Sequence, residues 1–320
     1  MDITFIVIGY NEALSLSGCM ASIRHANLKD ISYELIYVDG GSEDDSVSVV
    51  EHCVVDKILG GEKRRKAAEN RNLGLKAAQG EFIQFLDGDM KMNPDWPSIA
   101  IAFLKKNKNV AAVSGILKEV NPSAFYRALQ MDWQQEEGEV YFCGGAALWR
   151  KNVLDKINGF PENVDSGEEP YLCWKVRNTC GLKIYYLDSH MADHDLNYSG
   201  FKEYWHRNVR CGKAYVEIAS RCYKTRDKFW LRETLSNLIW ACIILGVGLF
   251  AIFGSIYFKT GAALFLLSIL LRKSFQVFKN GTDLSTSLIY GLHIYFSKVA
   301  QAFGELSWLL SNFKGKKPAR

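Results

Sequence analysis

The densest chemistry in the chain lies in FIQFLDGDMKMNPDW, an apolar run that ends in Asp87-Gly88-Asp89. Two carboxylates flanking a glycine at a strand's carboxyl end offer hard oxygen ligands to Mg²⁺ or Mn²⁺ and leave room for a diphosphate to approach. The same three residues also fit an Asp-Gly turn with solvated carboxylates, so their company decides. A second acidic pair, Glu168-Glu169, opens a helical stretch, where the preference for negative charge at a helix start would suffice to explain it. The basic run Lys63–Lys66 could attract a diphosphate or form a solvated helix face.

The elements around these residues alternate. Ile3–Ile8, Tyr33–Val38, Phe82–Leu86, Val110–Ser114, Tyr141–Leu148 and Ile184–Leu187 read as strands. Ala13–His25, Arg64–Gln79 and Trp96–Lys105 have helical periodicity. The pattern is α/β. The first strands are nearly continuous in apolar residues, which suits a sheet buried on both faces, and acidic or Gly-rich turns follow their carboxyl ends, where ligands bind in such sheets.

With 320 residues the chain has room for about two units of roughly 150 residues. Hydrophobic residues at 48% and charged ones at 23% exclude a disordered chain. The mean hydropathy of −0.08 averages a polar first two-thirds and an apolar last third. A net charge of +4 is too mild to imply nucleic acid. The eight cysteines form no C-x-x-C pair and no zinc-like spacing, which points to a reduced, cytosol-facing catalytic part. The short apolar run near the amino terminus lacks a basic flank, so it is expected to be a strand in the cytoplasm rather than a signal peptide.

Leu235–Phe258 is free of charge over 24 residues, about 36 Å of helix against a bilayer core of about 30 Å. After Lys259, Thr260–Leu271 adds a shorter apolar stretch, so a transmembrane helical hairpin over 235–271 is expected, its second arm short unless Ile256–Phe258 join it. Arg221, Lys224, Arg226, Lys228 and Arg232 precede the first span, and Arg272, Lys273 and Lys279 follow the second. By the positive-inside rule both ends face the cytoplasm. Across 284–313, Tyr295, Phe296, Val299, Phe303, Leu306 and Leu310 recur at helical steps. An amphipathic helix follows, lying on the membrane surface or packing on the protein itself. The tail Lys314, Lys316, Lys317 and Arg320 would face anionic lipid.

Five stretches in order are ITFIVIGYNEALSLSGCMASI, YELIYVDGGSEDDSV, AAENRNLGLKAAQGEFIQFLDGD, YFCGGAALWRK and GEEPYLCWKVRNTCGLKIYYLDSHMADHD. Together they resemble the inverting family 2 glycosyltransferases of the GT-A fold, a Rossmann-like nucleotide-sugar-binding domain, over about residues 3–215. The resemblance implies Tyr10 and Glu12 at the nucleotide base and ribose, Asp39 against the base, Arg71 on the nucleotide and Asp87 near the ribose. It further implies that Asp89 ligates a divalent cation, Mn²⁺ or Mg²⁺, with His194 completing the metal or diphosphate site, and that Gly144 and Gly145 admit the sugar. An imidazole ligand suits Mn²⁺ better than Mg²⁺. An inverting transfer needs a carboxylate opposite the leaving diphosphate. By alignment that base is Glu169, in a family that usually has Glu-Asp, and the extra methylene leaves Glu168 able to serve as well. Arg207 and Arg210 could meet a diphosphate or acceptor phosphate, or line a surface helix.

Gly9 stands where Pro is common and Gly40 where a second Asp often follows, and neither removes a group the mechanism needs. The segment WHRNVRCGKAY lacks the Q-x-x-R-W signature of processive synthases, which favours single-sugar addition. The expected architecture is a catalytic domain over 1–220, a basic juxtamembrane segment over 221–234, the hairpin and the amphipathic helix. The expected function is transfer of one sugar, from a UDP-sugar sooner than a GDP-sugar, to a lipid-linked or polyprenyl-phosphate acceptor at the cytoplasmic face of the cell membrane, in polysaccharide or glycoconjugate synthesis. A nucleotidyltransferase of related fold and a non-catalytic membrane scaffold are the alternatives. The first lacks its Gly-rich loop after strand one, and the second is disfavoured by intact Asp39, Asp87, Asp89 and Glu169.

Overall fold

A computed structural model describes residues 1–196, 198 and 200–313; the basic tail expected to face lipid lies outside the described residues. The chain divides into two compact units. One comprises Met1–Val120, Trp133–Asn163 and Glu168–Asp195, and the other Asn121–Asp132, Val164–Gly167 and the chain from Leu196 onward.

The first unit is a sheet flanked by helices. Its strands are β1 (Ile3–Gly9), β2 (Tyr33–Asp39), β3 (Lys57–Gly60), β4 (Phe82–Asp87), β5 (Met90–Met92), β6 (Val110–Glu119), β7 (Gly138–Val140), β8 (Leu148–Arg150) and β9 (Lys183–His194). The helices along the chain are α1 (Ala13–Arg24), α2 (Ser46–Glu51), α3 (Ala67–Ala77), α4 (Trp96–Lys106), α5 (Ala124–Gln130), α6 (Lys151–Lys156), α7 (Glu168–Lys175), α8 (Phe201–Cys222), α9 (Leu231–Phe253), α10 (Ile256–Lys279) and α11 (Leu284–Phe313). Of these, α5 and α8 to α11 belong to the second unit.

The strand order is β3-β2-β1-β4-β8-β6-β9-β5, with β7 beside β9. Strands β1 to β4 are parallel, whereas β8 is antiparallel to both β4 and β6. Because the chain runs from β1 to β2 on one side and reaches β4 on the other, the order reverses at β1, the kind of crevice where open α/β sheets bind ligands. The continuous apolar runs are buried on both faces as expected. Ile3, Phe5 and Val7 of β1 pack into one core with Leu16 and Met20 of α1, while Ile6 and Ile8 join the other with Ala68 and Leu75 of α3.

Three differences from the sequence expectations have local causes. Residues 141–147 form a loop instead of a strand, since two consecutive glycines have poor strand propensity and the backbone turns there past charged neighbours. Helix α3 starts at Ala67, three residues later than expected, where the Lys66 N–H donates to Glu69 Oε2 over 2.8 Å. The basic run Lys63–Lys66 is therefore a loop, not a helix face. Strand β9 runs on to His194, well past the expected Leu187, because β5 pairs with it antiparallel and sets Met90 opposite His194.

In the second unit, α9 and α10 are 23 and 24 residues long and apolar enough to cross a membrane. They are separated at Gly254-Ser255, so the hairpin turn falls before Lys259, and Ile256–Phe258 do join the second arm, giving it full length. Helix α8, expected with the catalytic domain, clusters with these helices. Helix α11 packs its small and polar face inward, with Thr286, Ser287, Gly291, Ser297 and Ala300 buried, while Leu292, Phe303, Leu306 and Leu310 stay more than half exposed. The helix thus packs on the protein through one face and leaves an apolar stripe on the other. Close approach to α8 depends on Gly212, where a Cβ atom would sit 1.9 Å from the Gln301 carbonyl oxygen.

Candidate active site

Strand register assembles the first part of the site. Asp39 lies opposite Gly9, and Asp87 opposite Ile8, so both acidic strand ends flank the end of β1. The turn after β1 holds Asn11 at a φ of 56°, a left-handed conformation that Asn tolerates. Its N–H donates to Ser42 Oγ over 2.9 Å, and its Oδ1 accepts from the Glu43 N–H over 2.8 Å. Asp39 is almost fully buried and accepts from the Gly41 and Ser42 N–H groups, both at 2.8 Å, and from Ser42 Oγ at 2.6 Å. The carboxylate expected against the base is thus engaged in shaping the 40–42 loop, which in turn ties down the β1 turn.

A cavity of about 170 Å³ opens there, lined by Tyr10, Glu12, Arg64, Arg65, Asn70 and Asp87 among others. The Arg64 guanidinium carbon lies 3.4 Å from the Tyr10 ring centroid, a cation over an aromatic face. Burial, reinforced by Asp89, pushes the Glu12 carboxyl up to about 7. Two buried polar atoms at this cavity, Arg65 Nη1 and Asn70 Oδ1, make no hydrogen bond among the described residues. Buried polar atoms without a partner are uncommon in folded proteins. Sequence reasoning passed over Asn70; the available signal was a polar residue on the sheet-facing side of α3.

The second part converges on Arg71, which is 3% exposed. Its Nη2 lies 3.0 Å from Asp87 Oδ1, and its Nη1 lies 3.1 Å from Glu168 Oε1 and 2.7 Å from Glu169 Oε1. Arg71, expected on the nucleotide, joins the D-x-D carboxylate to the acidic pair at the start of α7. Burial of the guanidinium would favour its neutral form, but Glu169, Asp87 and Glu168 outweigh that and hold the cation. Burial, then Glu168, push the Glu169 carboxyl up to about 7 against the pull of Arg71. Removing Arg71 would leave partly buried carboxylates uncompensated, a loss of about 3–5 kcal/mol.

The glycine pair divides its duties. A Cβ at Gly145 would lie 2.3 Å from Arg71 Nη2 and 3.0 Å from Glu169 Oε1, whereas one at Gly144 would meet nothing within 4 Å. Asn72, also missed from sequence, anchors the neighbouring loop: its Nδ2 donates to the Phe160 carbonyl at 2.9 Å and to Glu162 Oε1 at 2.7 Å.

Asp89 and His194 meet because β5 pairs with β9: Asp89 Oδ2 and His194 Nε2 are 3.6 Å apart, with Trp133 edge-on to the imidazole at 5.3 Å. Two neighbouring donors bound to one cation at about 2.1 Å each would lie about 3 Å apart, so this pair, slightly wider, would close by about half an ångström to share Mn²⁺ or Mg²⁺. Among the described residues no group of three or more His, Cys, Asp or Glu side chains gathers as a metal site. Arg207 and Arg210 lie on α8 in the second unit. The Arg207 guanidinium sits 5.8 Å over the Tyr198 ring, and the Arg210 carbonyl accepts from Ser166 Oγ.

Residues 4–160 match Glycosyl transferase family 2, and this domain, with its mixed sheet and strand-end carboxylates, belongs to that family and has the GT-A fold. Among particular relatives, the chain is 28% identical over 211 residues to a pre-mycofactocin glycosyltransferase of Mycobacterium tuberculosis, a match covering 61% of this chain and 43% of that protein. The chain thus spans less than half of that relative. It is 21% identical to the glycosyltransferase AglE of Haloferax volcanii over 75% of this chain and 80% of AglE. In structure it resembles the mannosyltransferase PcManGT of Pyrobaculum calidifontis, solved with GDP-Man and Mn²⁺, with a TM-score of 0.65 at 21% identity, covering 92% of this chain and 86% of that one. It also resembles Staphylococcus aureus TarS 1–349 solved with UDP-GlcNAc, with a TM-score of 0.58 at 18% identity, covering 99% and 93%.

Proposed function

We propose that the chain is a membrane-anchored, inverting glycosyltransferase that moves one sugar from a nucleotide-sugar, UDP-linked by expectation, to a lipid-linked acceptor at the cytoplasmic face of the cell membrane. The observation that carries the reading is the single arginine, Arg71, that ties Asp87 on the donor side to Glu169 on the acceptor side. Family membership supports sugar transfer, and the complexes of PcManGT with GDP-Man and of TarS with UDP-GlcNAc support a nucleotide-sugar donor.

In this mechanism Tyr10, Glu12 and Asn70 receive the nucleoside, and Asp87 orients the ribose. Asp89 and His194 would hold the divalent cation, which neutralises charge developing on the diphosphate. Glu169 Oε takes the proton from the acceptor hydroxyl as that oxygen forms its bond to the sugar C1. The C1–O bond to the diphosphate breaks on the opposite face, and its electron pair leaves with the nucleotide. A carboxylate with its acidity lowered toward neutral pH suits this general-base role. It also favours a hydroxyl over a phosphate as the attacking group, since a phosphate oxyanion has no proton to surrender. The apolar α9 and α10, bracketed by basic segments, would keep both chain ends cytoplasmic.

The test is to incubate the detergent-solubilised full chain with a panel of UDP- and GDP-sugars, Mn²⁺ and a lipid-linked acceptor. Nucleotide release and product anomericity are then measured. One nucleotide-sugar should be consumed with inversion at C1; a retained configuration, or pyrophosphate release from a nucleoside triphosphate, would overturn the reading.

A further inference from the structure

The helical unit contains a second polar cavity, of about 330 Å³, at the lower end of the range for ligand pockets. Its walls carry charges of both signs, Arg232 and Lys298 against Asp132 and Glu233, together with Tyr215 and Ser236. The exposed side chains of Arg232 and Glu233 make no hydrogen bond or ion pair among the described residues. Lys298 is held deeper, its Nζ donating to Ser236 Oγ at 3.2 Å and to Asn237 Oδ1 at 3.0 Å. An ammonium has three N–H groups, so one is left for a ligand. Asp132 is half-exposed and fixed from behind, with His293 Nε2 2.7 Å from its Oδ2. Lys298 and Asp132 are thus held in place, Lys298 also feeling the charges of Glu305, Glu233 and Asp132, while Arg232 and Glu233 remain open to a ligand.

Arg232 and Ser236 also line an adjoining, mostly apolar groove of about 530 Å³, whose remaining walls are Leu231, Leu235, Ile239 and Trp240 together with the oppositely charged Asp227 and Lys228. A polar cavity that continues into an apolar groove, on a helix with the length and composition of a membrane span, has the pattern of an amphiphile site. The headgroup chemistry follows from the charges. A singly anionic headgroup would place its phosphate between two cations but leave Glu233 facing it without a partner and Asp132 with His293 alone. A choline headgroup supplies a positive charge but no N–H. A primary ammonium beside a phosphate satisfies both pairs, donating to carboxylates and accepting from the guanidinium and ammonium.

We propose that this cavity and groove bind a phosphatidylethanolamine-type lipid. Its phosphate lies between Arg232 and Lys298, its ammonium between Asp132 and Glu233, and one acyl chain along Leu235, Ile239 and Trp240. The site rests on the reading of α9 as a membrane helix, and the experiment separates the two. The full-length chain in detergent is titrated with phosphatidylethanolamine, phosphatidylcholine and phosphatidylglycerol of identical acyl chains, and retained lipid is counted by native mass spectrometry. Phosphatidylethanolamine should be retained with roughly tenfold preference over the other two. Arg232→Ala and Glu233→Ala, both at exposed positions, should each abolish most of that preference while nucleotide binding is unchanged. Equal retention of all three lipids, a preference for phosphatidylglycerol, or an undiminished preference in both variants would overturn the site. Vesicle flotation is the control: failure to float with vesicles of any composition overturns the membrane reading and the site together, whereas flotation without headgroup preference overturns only the site.

Discussion

Arg71 Nη1 lies 2.7 Å from Glu169 Oε1, and the other arm of the same guanidinium lies 3.0 Å from Asp87 Oδ1. One buried cation on α3 therefore sets the position of the carboxylate proposed as base and of the carboxylate that closes β4. Charge at one end of this bridge is felt at the other, because the intervening group cannot lose its proton.

The pH dependence of transfer follows from the Glu169 environment. Burial and Glu168 raise its carboxyl to about 7, so the proton is bound below that pH and the base is unavailable. The rate should rise with pH up to about 7 and then level off, falling roughly tenfold per pH unit on the acid side. A transfer rate that stays constant between pH 5 and pH 8 would contradict it.

Glu169→Gln should keep nucleotide affinity while lowering transfer by roughly two to four orders of magnitude, the usual range for loss of a general base. Glu168→Gln should cost less, since the longer 3.1 Å contact makes it the lesser partner of Arg71. Titration calorimetry for the nucleotide and turnover for the sugar separate the two readouts, and a reversed order of effects moves the base to Glu168.

Substituting the two adjacent glycines should give opposite results. Gly145→Ala drives a methyl group to within 2.3 Å of Arg71 Nη2, so Arg71 must leave its carboxylates and turnover should drop by at least roughly tenfold. Gly144→Ala meets no atom within 4 Å and should be close to wild type. Equal losses in the two variants would mean that this loop, not the contact with Arg71, limits the reaction.

Divalent-cation dependence is expected to pass through Asp89. Excess EDTA should abolish transfer, and Asp89→Asn should lose most turnover even at high Mn²⁺, because one of the two protein donors for the cation becomes a weaker, neutral one. Full activity in EDTA would refute the assignment of Asp89 and His194.

Truncation before α9 should not yield a well-behaved soluble fragment. It would remove α11, whose backbone approaches Gly212 of α8 closely, and would expose the face of α8 that this helix covers. The truncated chain should aggregate or bind a hydrophobic dye strongly. A monomeric fragment with a cooperative thermal transition would show that α8 folds without its partner.

Local patterns already marked the parallel strands β1, β2 and β4, the helices α1 and α4, and the two long apolar segments, because the number of consecutive apolar residues distinguishes a doubly buried strand from a span. The acidic strand ends were legible for the same reason: a carboxylate closing an apolar run is a local signal. The partners of those residues were not legible. Arg71 stands 98 residues from Glu169 in the chain, and no local rule distinguishes an arginine reaching a nucleotide from one buried among three carboxylates. The family resemblance alone places His194 with Asp89 from sequence, and the antiparallel pairing of β5 with β9 is what brings the two together. Asp39 is expected at the base, and its bonds to the 40–42 loop, which tie down the turn after β1, emerge only in the fold. For 284–313 the sequence showed an apolar stripe on a helix. Only packing decided that its small, polar face turns inward, since Gly and Ser permit the close helix approach that Phe and Leu on the opposite face would prevent.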